Sequence, residues 1–223
     1  MSSQADVLRV IANEYLWPKL QPLGFERAAG RFVRQVDNLL HLIELQRSVG
    51  SSSRAIRFRI NYGVLSVRVA EFFGAATSEL RSYDVQSSHW IDRAGPQDDP
   101  SGDGWWEVGV VGDLPEVASD VLHVLNQVVL PALDQLSSED GLLQLWRGGR
   151  GPGITEAQRL ANLAALLVTR GQKADLPPVV ARLRELAERS AVRDFARRQL
   201  KRLEPHLTPT APEQTQEPSD TRN

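Results

Sequence analysis

Apolar residues recur at three- and four-residue intervals near the start of the chain: Val7, Leu8, Ile11, Tyr15, Leu16 and Leu20. That spacing predicts an amphipathic helix over residues 5–20, kinked by Pro18 and closed by Pro22 and Gly24. The period then shortens to two. Residues 31–37 predict a first strand and 39–48 its return strand. Asp37-Asn38 makes the hairpin turn between them, because both side chains tolerate the left-handed backbone and bond their own main chain. The return strand opens Leu39-Leu40-His41-Leu42-Ile43, apolar on both faces, which predicts a central strand covered on each side. Beyond the flexible Gly50-Ser51-Ser52-Ser53, residues 55–66 alternate strictly. Ile56, Phe58, Ile60, Tyr62 and Val64 share one face, and Arg57, Arg59, Asn61 and Gly63 share the other.

Residues 67–84 carry a mixed pattern with a short helix expected around 75–80. His89–Arg93 and Trp105–Val111 predict two more strands, joined by the turn-forming stretch 95–104. From Leu114 the spacing is helical again, with Pro115 at a first helical position and apolar residues continuing past Pro131 to Leu136. A short helix is expected over 139–146. Gly148-Gly149-Arg150-Gly151-Pro152-Gly153 is the strongest boundary in the chain. Helices are expected beyond it at about 154–170, 176–188 and 190–203, and the polar residues 205–223, His206 among them, are expected to be disordered. The result is an α+β fold: an antiparallel sheet of about five strands flanked by helices over residues 1–147. A linker at 148–153 leads to a helical appendage over 154–204, either docked or mobile, and then to the tail.

Composition narrows the chemistry. A formal net charge of −2 leaves no global attraction to nucleic acid or to membranes. With no cysteine there are no disulfides, thiolate nucleophiles or cysteine-held metals, which suits a cytoplasmic protein. No basic segment followed by an apolar stretch begins the chain, and no apolar run approaches the roughly 18–20 residues that span a bilayer. His41, His89, His123 and His206 form no metal-ligand spacing, and His41, in an apolar strand, reads as a hydrogen-bonded core residue. No nucleophile elbow or phosphate loop occurs; the Gly148–Gly153 run follows a helix rather than a strand. Asp98, Asp99 and Asp103 share a loop rich in proline and glycine, where aspartates ordinarily shape turns. No catalytic residue, metal or cofactor is therefore assigned.

Two surfaces stand out. Arg57, Arg59 and Asn61 line one face of the third strand, and Glu44 and Gln46 of the neighbouring strand can point the same way. Arginine forks suit carboxylates and phosphates, although a one-sided sheet shows water a polar face in any case. Trp105 and Trp106, adjacent on a strand, point to opposite faces, one into the core and the other towards solvent, a helix or a ligand. On the last helix Arg193, Arg197, Arg198, Lys201 and Arg202 make a basic stripe, diluted by Asp194 and Glu204 and without interleaved aromatics.

These residues together resemble a bacterial domain-of-unknown-function family, number 4304, over about residues 5–140. The likeness rests on Leu23-Gly24-Phe25, Phe32-x-Arg34, Gln46-x-Ser48, Phe58-x-Ile60-Asn61-x-Gly63 and Asp103-x-Trp105-Trp106. The chain departs from the family pattern at Ala28-Ala29, where basic residues are common. The resemblance implies an antiparallel sheet flanked by helices and brings no catalytic residues. The leading expectation is a non-catalytic cytoplasmic binding module, an immunity-type protein being one version. Its partner is a protein or a small acidic ligand, and neither nucleic acid nor a membrane. The alternatives are a hydrolase acting on an acidic or phosphorylated substrate, and a nucleic-acid-associated protein using the basic stripe.

Overall fold

The strictest alternation in the chain becomes its longest strand, Ile56–Ser66, at the centre of the molecule. The computed structural model describes residues 4–28, 30–52, 55–96, 104–109, 113–188 and 191–207. Within them six strands form one antiparallel sheet: β1 (Glu26–Ala28), β2 (Arg31–Val36), β3 (Leu39–Arg47), β4 (Ile56–Ser66), β5 (Trp90–Ala94) and β6 (Trp106–Val108). Strands β1 to β5 follow one another in order. β6 shares with β5 the outer edge of β4, β5 pairing Ile60–Val64 and β6 pairing Ile56–Phe58. β1 was not expected; three residues are too few for a period to show. The fifth expected strand is shorter than its pattern suggested, and Val110 and Val111 lie outside the described residues.

The β2–β3 hairpin turns where expected. Val36 pairs with Leu39, and Asp37 takes a left-handed conformation, φ 50°. The register Glu44↔Asn61, Gln46↔Arg59 and Leu42↔Gly63 then decides which side chains share a face. Ile56, Phe58, Ile60, Tyr62 and Val64 lie on the first face, in the main core with Leu39 and Ile43. The second face is divided. Leu40, Leu42, Leu65, Val33 and Ile91 form a smaller core with Ala70, Leu80 and Val85 from the segment after β4. The remaining part of that face is polar.

Segment 67–88 covers the second face by lying directly on the strand. α3 (Val67–Phe72) begins at Ser66, whose hydroxyl accepts the Val69 N–H, and short 3-10 turns follow at Thr77–Ser82 and Val85–Ser87. The helix expected around 75–80 is the first of these 3-10 turns, and α3 before it went unrecognised because apolar Val67, Val69 and Ala70 read equally well as strand. Gly63 permits the close approach: a Cβ there would lie 2.7 Å from Ser88 Oγ and 2.8 Å from the Trp90 carbonyl oxygen.

Helices cover the first face. The N-terminal helix is α1 (Gln4–Val10), a π-helical stretch over Ile11–Leu16, and α2 (Trp17–Leu20). α4 (Leu114–Val124) and α5 (Leu130–Gln135) are likewise joined by a π-helical stretch, Leu125–Val129. Each precedes a proline, Pro18 or Pro131. Proline offers no N–H and its ring crowds the carbonyl four residues back, so a wider turn relieves both problems without ending the helix. The following N–H groups bond five residues back, Trp17 to Ala12 and Leu130 to Leu125. α6 (Glu139–Arg147), α7 (Glu156–Thr169), α8 (Leu176–Ala187) and α9 (Arg193–Leu207) complete the layer. Leu160, Leu163 and Leu166 of α7 belong to the same core as Phe58 and Ile60. The glycine-rich segment touches the sheet, Ile91 donating its N–H to the Pro152 carbonyl at 3.4 Å. α9 continues through Pro205 to Leu207, past the point where the tail was expected to begin, because Leu203 is buried and Leu207 packs on the core. His206 is therefore helical, its ring 5.4 Å from Phe72. Residues 208–223 lie outside the described residues. No described helix is long and apolar enough to cross a membrane.

Gly63→Ala is expected to destabilise the protein by about 1–3 kcal/mol, the usual cost of overpacking. Ser88→Gly in the same chain should recover only part of it, since the Trp90 carbonyl still opposes the added methyl. Urea unfolding of the single and double variants measures both effects, and an unchanged midpoint for Gly63→Ala would contradict the close approach.

Candidate functional site

The uncovered part of the second sheet face gathers most of the residues singled out in the sequence. Arg59 donates from Nε to Gln46 Oε1 at 2.9 Å, and Asn61 Nδ2 donates to Gln46 Oε1 at 3.0 Å and Glu44 Oε1 at 3.2 Å. These are cross-strand neighbours on one face, as β3–β4 pairing requires. Trp105 stands next to β6 on the same side, with the Arg59 guanidinium 4.2 Å from its ring centroid. Arg93 of β5 lies directly across from Asn61. Asn61 is fully buried, and its Oδ1 has no hydrogen-bond partner among the described residues. Arg57 is diverted towards Glu107 on β6, at 3.8 Å.

Trp106 belongs elsewhere. It is buried on the opposite face, stacked on Phe58 with centroids 5.5 Å apart, and its indole N–H donates to Asp120 Oδ2 at 2.6 Å. Trp106 thus tethers α4 to the sheet and leaves the candidate surface. Trp105 is only half-buried, but the guanidinium caps its ring, so the pair creates no open apolar patch. Arg93 was missed. Its alternation with Ile91 was visible, but only the β4–β5 register reveals that it stands beside Asn61.

Partial burial, and then the proximity of Arg93, lower the Arg59 pKa from its ordinary value. An arginine remains protonated at neutral pH even so. The two guanidiniums therefore repel each other across a partly desolvated floor, and no carboxylate forms an ion pair with either among the described residues. Such a site favours an incoming oxyanion, which would relieve the repulsion and accept charge-assisted hydrogen bonds.

The other candidates separate. All five residues of the basic stripe, Arg193, Arg197, Arg198, Lys201 and Arg202, face solvent on α9, while Ala196, Gln199 and Leu203 are buried beneath them. Arg202 leans over Phe73 at 5.6 Å. Asp98, Asp99 and Asp103 lie outside the described residues. No group of three or more His, Asp or Glu among the described residues could hold a metal ion.

His41 is the hydrogen-bonded core residue its strand suggested. Its Nε2–H donates to the Leu136 carbonyl at 3.1 Å, and Nδ1 accepts from Arg34 Nη2 at 3.1 Å. The same Arg34 nitrogen reaches Asp134 at 2.7 Å, so this network joins β2 and β3 to the end of α5. Burial outweighs the other influences and lowers the His41 pKa to about 4. His89, whose Nδ1 accepts the Ser66 N–H at 3.0 Å, is also lowered to about 4, by desolvation.

Both histidines stay neutral in the folded chain where an unfolded histidine, with pKa about 6.5, is protonated. The unfolded state then binds more protons, so stability falls as pH drops from about 6.5 towards 4 and is insensitive to these groups above that window. Between about pH 7 and pH 5, His41 should account for about 2 kcal/mol of the loss. Urea unfolding at the two pH values measures the drop, which should be smaller by that amount in His41→Gln; an equal drop in both proteins would contradict the assignment.

No curated protein and no solved structure matches the chain. A family model, the domain of unknown function DUF4304, matches residues 16–135, more than half of the chain. The match begins in the N-terminal helix, takes in all six strands and ends with α5, so it covers the whole sheet face that carries Arg59, Asn61 and Arg93. The chain belongs to the DUF4304 family.

Proposed function

We propose that this protein is a non-catalytic binding module of the bacterial cytoplasm whose sheet face takes an acidic segment of a protein partner. The observation that carries the reading is the Arg59–Arg93 pair, two guanidiniums on one face without an ion-paired carboxylate among the described residues. Trp105, stacked against the Arg59 guanidinium, helps to hold that cation in place on the face. The absence of cysteine suits a reducing compartment. A broad face suits an extended protein segment, since specific protein contacts spread over a surface whereas small ligands are enclosed. An immunity-type protein, covering an acidic region of its target, is one form of this reading.

A hexaglutamate peptide serves as a simple probe. Its titration, followed by NMR, should shift the Trp105 indole and the Arg59 and Arg93 side-chain signals. The affinity should fall as salt is raised. Arg59→Gln with Arg93→Gln should weaken binding by at least about tenfold, because both charge-assisted bonds are lost. Arg57→Gln should have a smaller effect, its charge being shared with Glu107. Shifts confined to α9, or affinity unchanged in the double variant, would count against the face.

A further inference from the structure

α9 carries a second charged surface, and its case does not depend on the Arg59–Arg93 face. Arg193, Arg197 and Lys201 follow one another at four-residue intervals, and Arg198 and Arg202 form a shorter row beside them. Successive members of a row are about 6 Å apart along the axis, so the longer row spans about 12 Å. All five side chains are exposed. None of them forms an ion pair among the described residues. Arginines elsewhere in the helical layer do: Arg147 pairs with Asp175, Arg159 with Glu156 and Arg170 with Asp140.

Folding gives these cations little to do. The helix dipole favours a positive charge only in the last turn, near Arg202. Arg193 opens the helix, where the dipole opposes it, and Arg197 and Arg198 lie beyond its reach. Internal contacts are slight: Arg202 lies 5.6 Å over Phe73, and Arg193 reaches the Glu188 carbonyl at 3.5 Å. Asp194 and Glu204, the carboxylates of the helix, stand in its first and last turns, so the exposed side holds five cations against two anions. The whole chain has a net charge of −2, so the attraction is local to this helix.

The rest of the exposed side decides what kind of anion fits. Its remaining exposed residues are Asp194, Glu204 and Pro205, while Phe195 and Leu200 pack on the core. A protein interface draws its affinity from buried aromatic or apolar anchors, and none stands between these cations. A membrane-surface helix inserts its apolar face, but here Ala196, Gln199 and Leu203 are already buried against the protein. Single-stranded nucleic acid needs aromatic rings on which bases stack, and the rows have none. A nucleic-acid duplex needs neither anchor nor stack. It carries one negative charge per about 1.7 Å of its axis, so phosphates face the rows wherever the helix lies along it.

We propose that α9 is a sequence-independent contact for the phosphate backbone of a nucleic-acid duplex, with Arg193, Arg197 and Lys201 tracking one run of phosphates and Arg198 and Arg202 flanking it. Three to five phosphates are neutralised. Affinity from charge alone is modest, with Kd of about 10⁻⁴–10⁻⁶ M at physiological salt.

Fluorescence anisotropy of labelled 20-base-pair DNA duplexes, titrated with the full chain, tests the assignment. Two duplexes of unrelated sequence should bind equally, and log K should fall linearly with log salt with a slope of about −2.7 to −4.5. Arg197→Glu with Lys201→Glu should weaken binding at least about tenfold, whereas Arg197→Lys with Arg198→Lys, which keeps the charge, should stay within about threefold. Should the glutamate variant fold poorly, amide NMR signals of the unaltered protein supply the same information, shifting along α9 on addition of duplex. Hexaglutamate and phosphatidylserine vesicles represent the acidic-protein and membrane alternatives and should bind α9 more weakly than the duplex. No saturable binding, a slope near zero, full affinity in the glutamate variant, shifts away from α9, or tighter binding of either alternative there would overturn the proposal.

Discussion

Where β4 meets Ser88, there is room for a backbone and nothing more. Gly63 supplies that room, and much of the second sheet face depends on it. Because the turn ending at Ser88 rests directly on Gly63, the segment from α3 onwards can cover Leu40, Leu42 and Leu65. Burying a large aliphatic side chain of this kind contributes roughly 1.5–3 kcal/mol, so the small core is a substantial part of the stability. The same contact sets where the cover stops. Two residues before Gly63 on the same face stands Asn61, and from there to Arg57 the strand carries polar side chains. One strand thus has a continuous apolar face and a second face that changes character along its length.

The division has a chemical consequence. At the covered end, polar groups must find partners inside the protein. At the other end they find them across the strands, and not completely. Gln46 accepts from both Arg59 and Asn61, Glu44 accepts from Asn61, and Trp105 closes over Arg59. A cation–π contact of this sort contributes about 0.5–1 kcal/mol when exposed, enough to hold a guanidinium in place and too little to neutralise it. The Arg59 charge therefore remains available. On the first face His41 instead spans Arg34 and the Leu136 carbonyl, and Trp106 reaches Asp120. That contrast is why a histidine conspicuous in the sequence serves the core while an arginine from an ordinary alternating strand is left facing outward.

Prolines shape the helical layer in a similar way. Proline commonly ends a helix, yet at both Pro18 and Pro131 a π-helical stretch precedes the ring and the apolar stripe continues. Leu16 and Leu20 on either side of Pro18 are fully buried, as are Val129 and Leu133 around Pro131. Tertiary burial on both sides holds the widened turn in place.

The amino-acid sequence specifies the elements that depend on period and on turn chemistry: the β2–β3 hairpin about Asp37-Asn38, the two-faced β4, the separation of Trp105 from Trp106, and the helices after Leu114. It was silent where a segment is too short to show a period, as in β1, or where apolar and β-branched residues suit two structures equally, as in α3. Most of the candidate site was legible as residue types on one strand, with Glu44 and Gln46 placed beside it by the hairpin. Arg93 and the role of Gly63 were not, because both depend on contacts between residues about 25–32 positions apart. Local spacing records which side of its own strand a residue occupies. Which strand lies alongside, and in what register, is decided by how the sheet faces bury against α3 and the helical layer, and that burial is what places Arg93 beside Asn61.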